Sequence, residues 1–247
     1  MAVEVRDRLH AKQGRTIARY TLTRDGQTLV VYLKRHYRHS RHRGWLALVF
    51  PSRAWSDGLR EWTHLKLAES LGIPVPTAMA AGQWVGPRGR LQSVLASAEL
   101  TDRLALHEAI PLAFRTLEPG AFDLWKRGLI AELVRLSKLL HDRNWFHQDL
   151  YLCHFYASLA DIGSPPPSWV GRVTMIDFHR FGRHRVQSIR YRIKDLAQLL
   201  FSSEVEGVTV RDRVRFARLY FGPKRGRWLT RLIVLKYRRY RRHNERA

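Results

Sequence analysis

The chain has 247 residues, 45% hydrophobic and 11% aromatic, which is enough apolar material for a packed core and excludes global disorder. Lys and Arg number 44 against 21 Asp and Glu, a formal charge of +23 that points to a polyanionic partner: nucleic acid, nucleotide, or an anionic membrane with phosphorylated lipids. A single cysteine, Cys153, excludes an intramolecular disulfide and a multi-cysteine zinc site, and fits a reducing cytoplasm.

Residues 1–8 carry no apolar core of signal-peptide length. Residues 16–23 and 28–33 are rich in β-branched and aromatic side chains, and Asp25-Gly26 between them signals a hairpin; residues 3–9 could add a third strand. The basic stretch Lys34 to Arg43 is expected as a solvated loop, or as a holder of an anionic substrate. The densest apolar run, Trp45 to Phe50, falls far short of the roughly 20 residues of a membrane span. A soluble or peripheral protein is therefore expected. Trp55, Leu59, Trp62 and Leu65 predict a helix over 53–71 that stops at Gly72, and Ile73-Pro-Val-Pro76 must be extended. Residues 91–97 read as a strand, and Ala98-Glu99-Leu100 as a crossing point.

From residue 101 the pattern turns helical, with a broad apolar face over 123–143. Short extended pieces are expected around 146–156 and 172–178, separated by the loop Asp161 to Ser168. Helices return at about 190–203 and 209–221. The last 37 residues hold 14 Lys or Arg against 2 acidic residues, the composition of a basic C-terminal helix. The fold class is α+β, with a β-rich N-lobe at 1–98 and a helical C-lobe at 99–247. No internal repeat is present.

The chemistry concentrates in Trp145 to Phe155. His147, Asp149 and His154 stand at relative positions 1, 3 and 8, the spacing of the kinase catalytic loop H-R-D-L-x-x-x-N, with Gln148 for Arg and His154 for Asn. Such a loop needs a carboxylate that reaches the attacking hydroxyl, and a ligand five residues on that reaches the metal holding the triphosphate. Downstream, the apolar Val173-Thr-Met-Ile delivers Asp177-Phe178, where a kinase places its main metal-binding aspartate. Upstream, Val30-Val-Tyr-Leu-Lys34 has the form of the strand ending in a phosphate-gripping lysine, and Glu61 lies on the next helix as its ion-pair partner. The order Lys34, Glu61, Asp149, His154, Asp177 is the kinase order. Taken singly, each is an ordinary surface or core residue; His147 reads as a buried structural histidine. The glycine-rich loop is missing: residues 9–16 contain only Gly14, whose amide region, with Lys12 or Arg15, is a candidate for covering phosphates. Glu99 is a further nucleotide-binding candidate.

The segment His147-Gln-Asp-Leu-Tyr-Leu-Cys-His-Phe155 resembles the catalytic loop of the lipopolysaccharide kinase (Kdo/WaaP) family, H-R-D-L-Y-x-x-H-F. Pro51-Ser-Arg-Ala54 with Glu61, Met175-Ile-Asp-Phe-His-Arg180 and Lys194-Asp-Leu-Ala-Gln-Leu-Leu200 resemble further family segments. The resemblance implies a two-lobed protein-kinase-like fold and ATP- and Mg²⁺-dependent phosphorylation of a heptose or Kdo hydroxyl of the lipopolysaccharide inner core. It also implies a peripheral place on the cytoplasmic face of the inner membrane. It gives Asp149 the part of catalytic base, Asp177 and His154 those of metal ligands, Lys34 and Glu61 that of the phosphate-binding pair, and Asp195 that of a brace for the catalytic loop. Because Gln148 replaces the usual Arg, regulation by a phosphorylated activation loop is not expected.

On this reading the basic stretch Arg35 to Arg43 meets the acceptor, the tail Leu235 to His243 meets anionic headgroups, and nucleic acid is not a partner. Two alternatives stay open. An atypical protein kinase would need a peptide-docking segment, and no A-P-E motif follows Asp177. A non-catalytic kinase scaffold binding polyanions would draw on the tyrosines at 237–240, yet would have no chemical need for Lys34, Asp149 and Asp177 together.

Overall fold

A computed structural model describes residues 3–5, 14–24, 27–37, 40–50, 52, 55–222 and 226–244. The chain divides into two compact units, one of Met1–Ser70 with Val75–Thr101, the other of Leu71–Pro74 with Asp102–Ala247. The segment Leu71–Pro74 goes with the second unit because Ile73 is buried and the Pro74 carbonyl accepts the Met175 amide at 2.8 Å.

The first unit is built on a five-stranded antiparallel sheet. Its strands are β1 (Val3–Val5), β2 (Arg15–Arg24), β3 (Gln27–His36), β4 (Ala78–Gly86) and β5 (Arg90–Ala98), in the order β1-β2-β3-β5-β4. Strands β2 and β3 pair from Arg15↔His36 to Arg24↔Gln27; the expected turn residues Asp25 and Gly26 lie outside the described residues, as do residues 6–9 and Lys12. Strand β4 was not foreseen. Its Ala- and Gly-rich sequence has little intrinsic strand preference, and its pairing along β5 at the sheet edge supplies what propensity does not.

The basic stretch is not the expected loop. Lys34, Arg35 and His36 finish β3, and Arg41 to Arg43 open helix α1 (Arg41–Val49). Tertiary packing overrides the charge signal: α1 turns Gly44 and Ala47 inward, and a Cβ on Gly44 would stand 1.8 Å from the Gly89 carbonyl oxygen. Helix α2 (Asp57–Ser70) starts where Ser56 Oγ accepts the Leu59 amide and Asp57 occupies the first turn. It presses on β5 through Gly58, whose amide donates to Ser93 Oγ at 3.1 Å and whose missing Cβ would meet the Val94 carbonyl at 2.9 Å.

The second unit is mainly helical. Two small antiparallel sheets hold its loops: β6 (Arg103–Ala105), β8 (Phe155–Ser158) and β9 (Thr174–Met175) form one, with β8 central; β7 (Trp145–Phe146) and β10 (Gly182–Arg183) form the other. The helices are α3 (Leu106–Thr116), α4 (Pro119–His141), α5 (Leu159–Gly163), α6 (Ser188–Ser202), α7 (Val210–Phe221) and α8 (Arg227–Asn244). Helix α5 takes the start of the expected 161–168 loop, because Ser158 caps it by accepting the Asp161 amide. Trp125, Leu129, Leu136 and Leu140 of α4 are fully buried and form the spine of this core. The α7 start carries a reciprocal Thr209–Asp212 capping box, and Asp212 also meets Lys126 Nζ at 2.9 Å.

Candidate functional site

In the first unit, β3 carries Lys34 and α2 carries Glu61, and the two side chains meet at 2.7 Å. Glu61 is 2% exposed, and its Oε2 is buried without a hydrogen-bond partner. Burial of such a carboxylate is costly unless a cation pairs with it, and Lys34 does so. Gly14 adopts a left-handed φ of 73° just before β2, and its carbonyl accepts the Tyr37 amide at 3.0 Å. Glu99 follows β5: its amide donates to the Val30 carbonyl, and its two carboxylate oxygens accept the Arg19 guanidinium at 2.6 and 2.9 Å.

In the second unit, β7 leads straight into the loop His147–His154. Asp195 of α6, fully buried, fixes the loop's backbone: Oδ2 accepts the His147 amide at 2.9 Å and Oδ1 the Gln148 amide at 2.8 Å. Gln148 sits at a left-handed φ of 69°, a conformation a non-glycine residue keeps only when its surroundings enforce it. The loop then turns back, so that Asp149 and His154 meet. His154 Nδ1 lies 2.7 Å from the Asp149 carbonyl oxygen; that oxygen can only accept, so Nδ1 carries the proton and Nε2 is directed elsewhere. It stands 3.7 Å from Asp177 Oδ2. The Ile176 amide donates to the His154 carbonyl and His147 Nε2 donates to the Ile176 carbonyl, so the strand end bearing Asp177 is pinned to the loop on both sides.

Asp177 also has a left-handed backbone, φ 64° and ψ 58°. Its Oδ1 accepts from His179 Nδ1 at 2.8 Å, while His179 Nε2 lies 3.9 Å from Asp149 Oδ2, which sets that imidazole between the two carboxylates. Asp149 accepts Arg180 Nη1 at 3.1 and 3.2 Å and Gln198 Nε2 at 3.3 Å. Burial pushes the His147 imidazole below its ordinary pKa and keeps it neutral, leaving Nδ1 as an enclosed lone pair with no donor. For His154, burial opposes the charged form, but Cys153, the Asp149 carbonyl and the Asp177 carboxylate outweigh it and raise the pKa.

Each unit thus brings its own candidates together: Lys34 with Glu61, and Asp149 with His154, Asp177, His147 and Asp195. Residue spacing did not reveal Gln198, Arg180, His179 or His141. Gln198 lies three residues beyond Asp195 on the same face of α6, a spacing that could have nominated it; its Oε1 accepts the Leu150 amide and its Nε2 also reaches Tyr151 Oη. His141 Nε2 donates to Asp195 at 3.2 Å, and its Nδ1 lies 2.7 Å from the Tyr220 hydroxyl, a relay through helices α4, α6 and α7 that no local pattern encodes.

Among the described residues no group of three or more His, Cys, Asp or Glu could cage a metal ion. What exists is one imidazole nitrogen beside one carboxylate oxygen. The Asp177 oxygen fits a divalent cation which takes its remaining ligands from phosphate oxygens and water, as Mg²⁺ commonly does, whereas the imidazole nitrogen is a less usual ligand for so hard a cation and is equally placed to meet a phosphate oxygen.

The chain matches the model of the lipopolysaccharide kinase (Kdo/WaaP) family over residues 5–220. It belongs to that family. It is 32% identical over 162 residues to the lipopolysaccharide core heptose(I) kinase WaaP of Pseudomonas aeruginosa, a match covering 66% of this chain and 58% of that one. It is 30% identical over 164 residues to the lipopolysaccharide core heptose(I) kinase WaaP of Escherichia coli K12, covering 66% and 59%. The matched part is thus less than two thirds of the length of these kinases. A solved structure, WaaP in complex with acyl carrier protein, is similar with a TM-score of 0.64 and 25% identity over 95% of this chain and 88% of that one. The family's protein-kinase-like α+β fold accounts for the β-rich first unit and the helical second. No helix among the described residues is long and apolar enough to cross a membrane.

Proposed function

We propose that this family member is an ATP-dependent kinase that phosphorylates a sugar hydroxyl, heptose or Kdo, of the lipopolysaccharide inner core. The observation that supports it most is the meeting of Asp149, His154 and Asp177 on two loops pinned to each other, since phosphoryl transfer asks for positioning and charge neutralisation rather than covalent chemistry. Membership of a kinase family implies ATP as the donor, and the WaaP relatives, by their names, act on core heptose.

On this proposal Asp149 accepts the proton of the attacking hydroxyl, with Gln198 and Arg180 orienting its oxygens. Asp177, with His154 Nε2, would hold Mg²⁺, whose charge would offset that of the phosphate oxygens. Lys34, kept in place by Glu61, grips phosphate; Gly14 covers it, and Glu99, anchored by Arg19, takes part in nucleotide binding. His147 and Asp195 position the loop and touch no substrate. The test is transfer of labelled phosphate from ATP to heptose- or Kdo-terminated core lipid, with Asp149→Asn as control; transfer to protein alone would favour a protein kinase instead.

A peripheral place at the cytoplasmic side of the inner membrane follows from that acceptor. A carrier-protein partner is a second proposal. The related WaaP structure includes acyl carrier protein, and the second unit here has a half-open cavity of about 250 Å³ lined by Leu129, Leu133, Leu199, Phe216 and Ile233, a lining suited to an acyl chain. Co-purification of the untagged carrier protein with the chain, lost in Leu199→Arg, tests it.

A further inference from the structure

Helix α8 contains seven Lys or Arg and no Asp or Glu over Arg227–Asn244. Its inner face packs on the second unit: Ile233, 6% exposed, lies with Tyr237 and Tyr240 on a cluster of Val134, Leu196, Ala197 and Tyr220. Its outer face is unusual for a surface helix. Trp228, Leu232 and Leu235, at successive four- and three-residue steps, are 55%, 39% and 53% exposed. Arg231, Arg238, Arg239 and Arg242 are exposed on that same side. A row of large apolar side chains about 10 Å long at 1.5 Å per residue, flanked by arginines on a helix of 18 residues, is the pattern of a helix lying in the plane of a lipid–water interface.

We propose that the outer face of α8 docks the protein on an anionic lipid bilayer, with Trp228, Leu232 and Leu235 at the headgroup–acyl boundary and the arginines on lipid phosphates. This rests on the reading of the chain as a kinase of a lipid-linked saccharide and names the surface that brings it to the acceptor. Charge complementarity selects the occupant, because the helix offers no acidic group that a mixed-charge protein surface would pair with. Nucleic acid is disfavoured by the tyrosines. Both are turned inward, Tyr237 bonding Glu204 and Tyr240 lying near Phe201, so neither is presented for base stacking.

The experiment is co-sedimentation of the full chain with vesicles of phosphatidylcholine, with and without phosphatidylglycerol in equal amount, across a salt series. The expected result is binding that requires phosphatidylglycerol. The variant Arg238→Gln/Arg239→Gln/Arg242→Gln should weaken it about tenfold or more and flatten its salt dependence. Trp228→Ser/Leu232→Ser/Leu235→Ser should weaken the part that survives high salt. All substituted side chains are exposed, so both variants should keep the thermal unfolding of the parent. Unchanged vesicle binding by the arginine variant overturns the proposal. So does retention of vesicle binding with loss of carrier-protein binding, which would make this a protein interface. Transfer to detergent-dispersed acceptor is measured in parallel and should be equal in all three proteins. If none transfers while the vesicle pattern holds, the kinase reading fails and the docking surface stands.

Discussion

Replacing Asp195 tests how the loop His147–His154 is held. Its carboxylate is fully buried and accepts three donors, the His147 and Gln148 amides and His141 Nε2, at 2.8 to 3.2 Å. Hydrogen bonds to a charged group contribute about 1.5–3 kcal/mol each, and a donor left buried and unpaired costs about as much. The Gln148 amide is only partly buried and can recover water, whereas His147 and His141 cannot. Asp195→Ala should therefore cost about 3–5 kcal/mol, a large share of the roughly 5–15 kcal/mol that stabilises an ordinary domain. Asp195→Asn keeps one acceptor oxygen and sets an NH₂ against a donor, so it should cost about half as much and fold where Ala fails. Urea unfolding followed by circular dichroism gives the stability. Transfer rates of the Asn variant at saturating ATP give the second readout, with kcat falling about 10–100-fold as the backbone carrying Asp149 loses its anchor. A cost under about 1 kcal/mol for Ala, with kcat unchanged for Asn, would refute the reasoning.

Other substitutions probe the remaining parts. Lys34→Met should abolish transfer and, by leaving the Glu61 carboxylate buried without its cation, destabilise by about 3–5 kcal/mol; Lys34→Met/Glu61→Leu should regain most of that stability and none of the activity, as read by urea melts and labelled ATP. Gln198→Leu removes donors to Asp149 and Tyr151, and should lower kcat about tenfold or more while leaving the KM for ATP unchanged. Burial tends to raise the Asp212 pKa, but hydrogen bonds from Lys126 and Thr209 override it and hold the carboxyl below its ordinary value. A depressed folded pKa gives stability above the unfolded value and loses it as pH falls through the folded one. The wild-type chain should therefore lose stability below about pH 4 more steeply than Asp212→Asn, which thermal melts across that range will reveal.

The elements that bear the candidate residues were legible because the loop motif is written locally. His147, Asp149 and His154 fall within eight residues, and the strands before Lys34 and Asp177 have strong apolar patterns. What the sequence hid is tertiary. Helix α1 was masked by its charges, since its inward residues are the small Gly44 and Ala47 while Trp45, Leu48 and Val49 face out, the reverse of the usual periodicity. Strand β4 lacks propensity, and the two-residue strands β7 and β10 are too short to have a period. Gln198 and His141 look like ordinary helix residues until the loop they support is folded against them. The lobe boundary read at 98/99 carries no hint that Leu71–Pro74 would belong with the helical unit, because the Pro74 to Met175 bond joins residues a hundred positions apart.

On the proposed function, Asp149 serves phosphoryl transfer to a core sugar. That role is tested most directly by incubating the chain and Asp149→Asn with labelled ATP, Mg²⁺ and heptose-terminated core lipid, then isolating the lipid. The native chain should label the lipid, and the variant should label it at least about a hundredfold less. Equal labelling by both proteins, or no labelling of either Kdo- or heptose-terminated lipid by a chain that binds ATP, would contradict it.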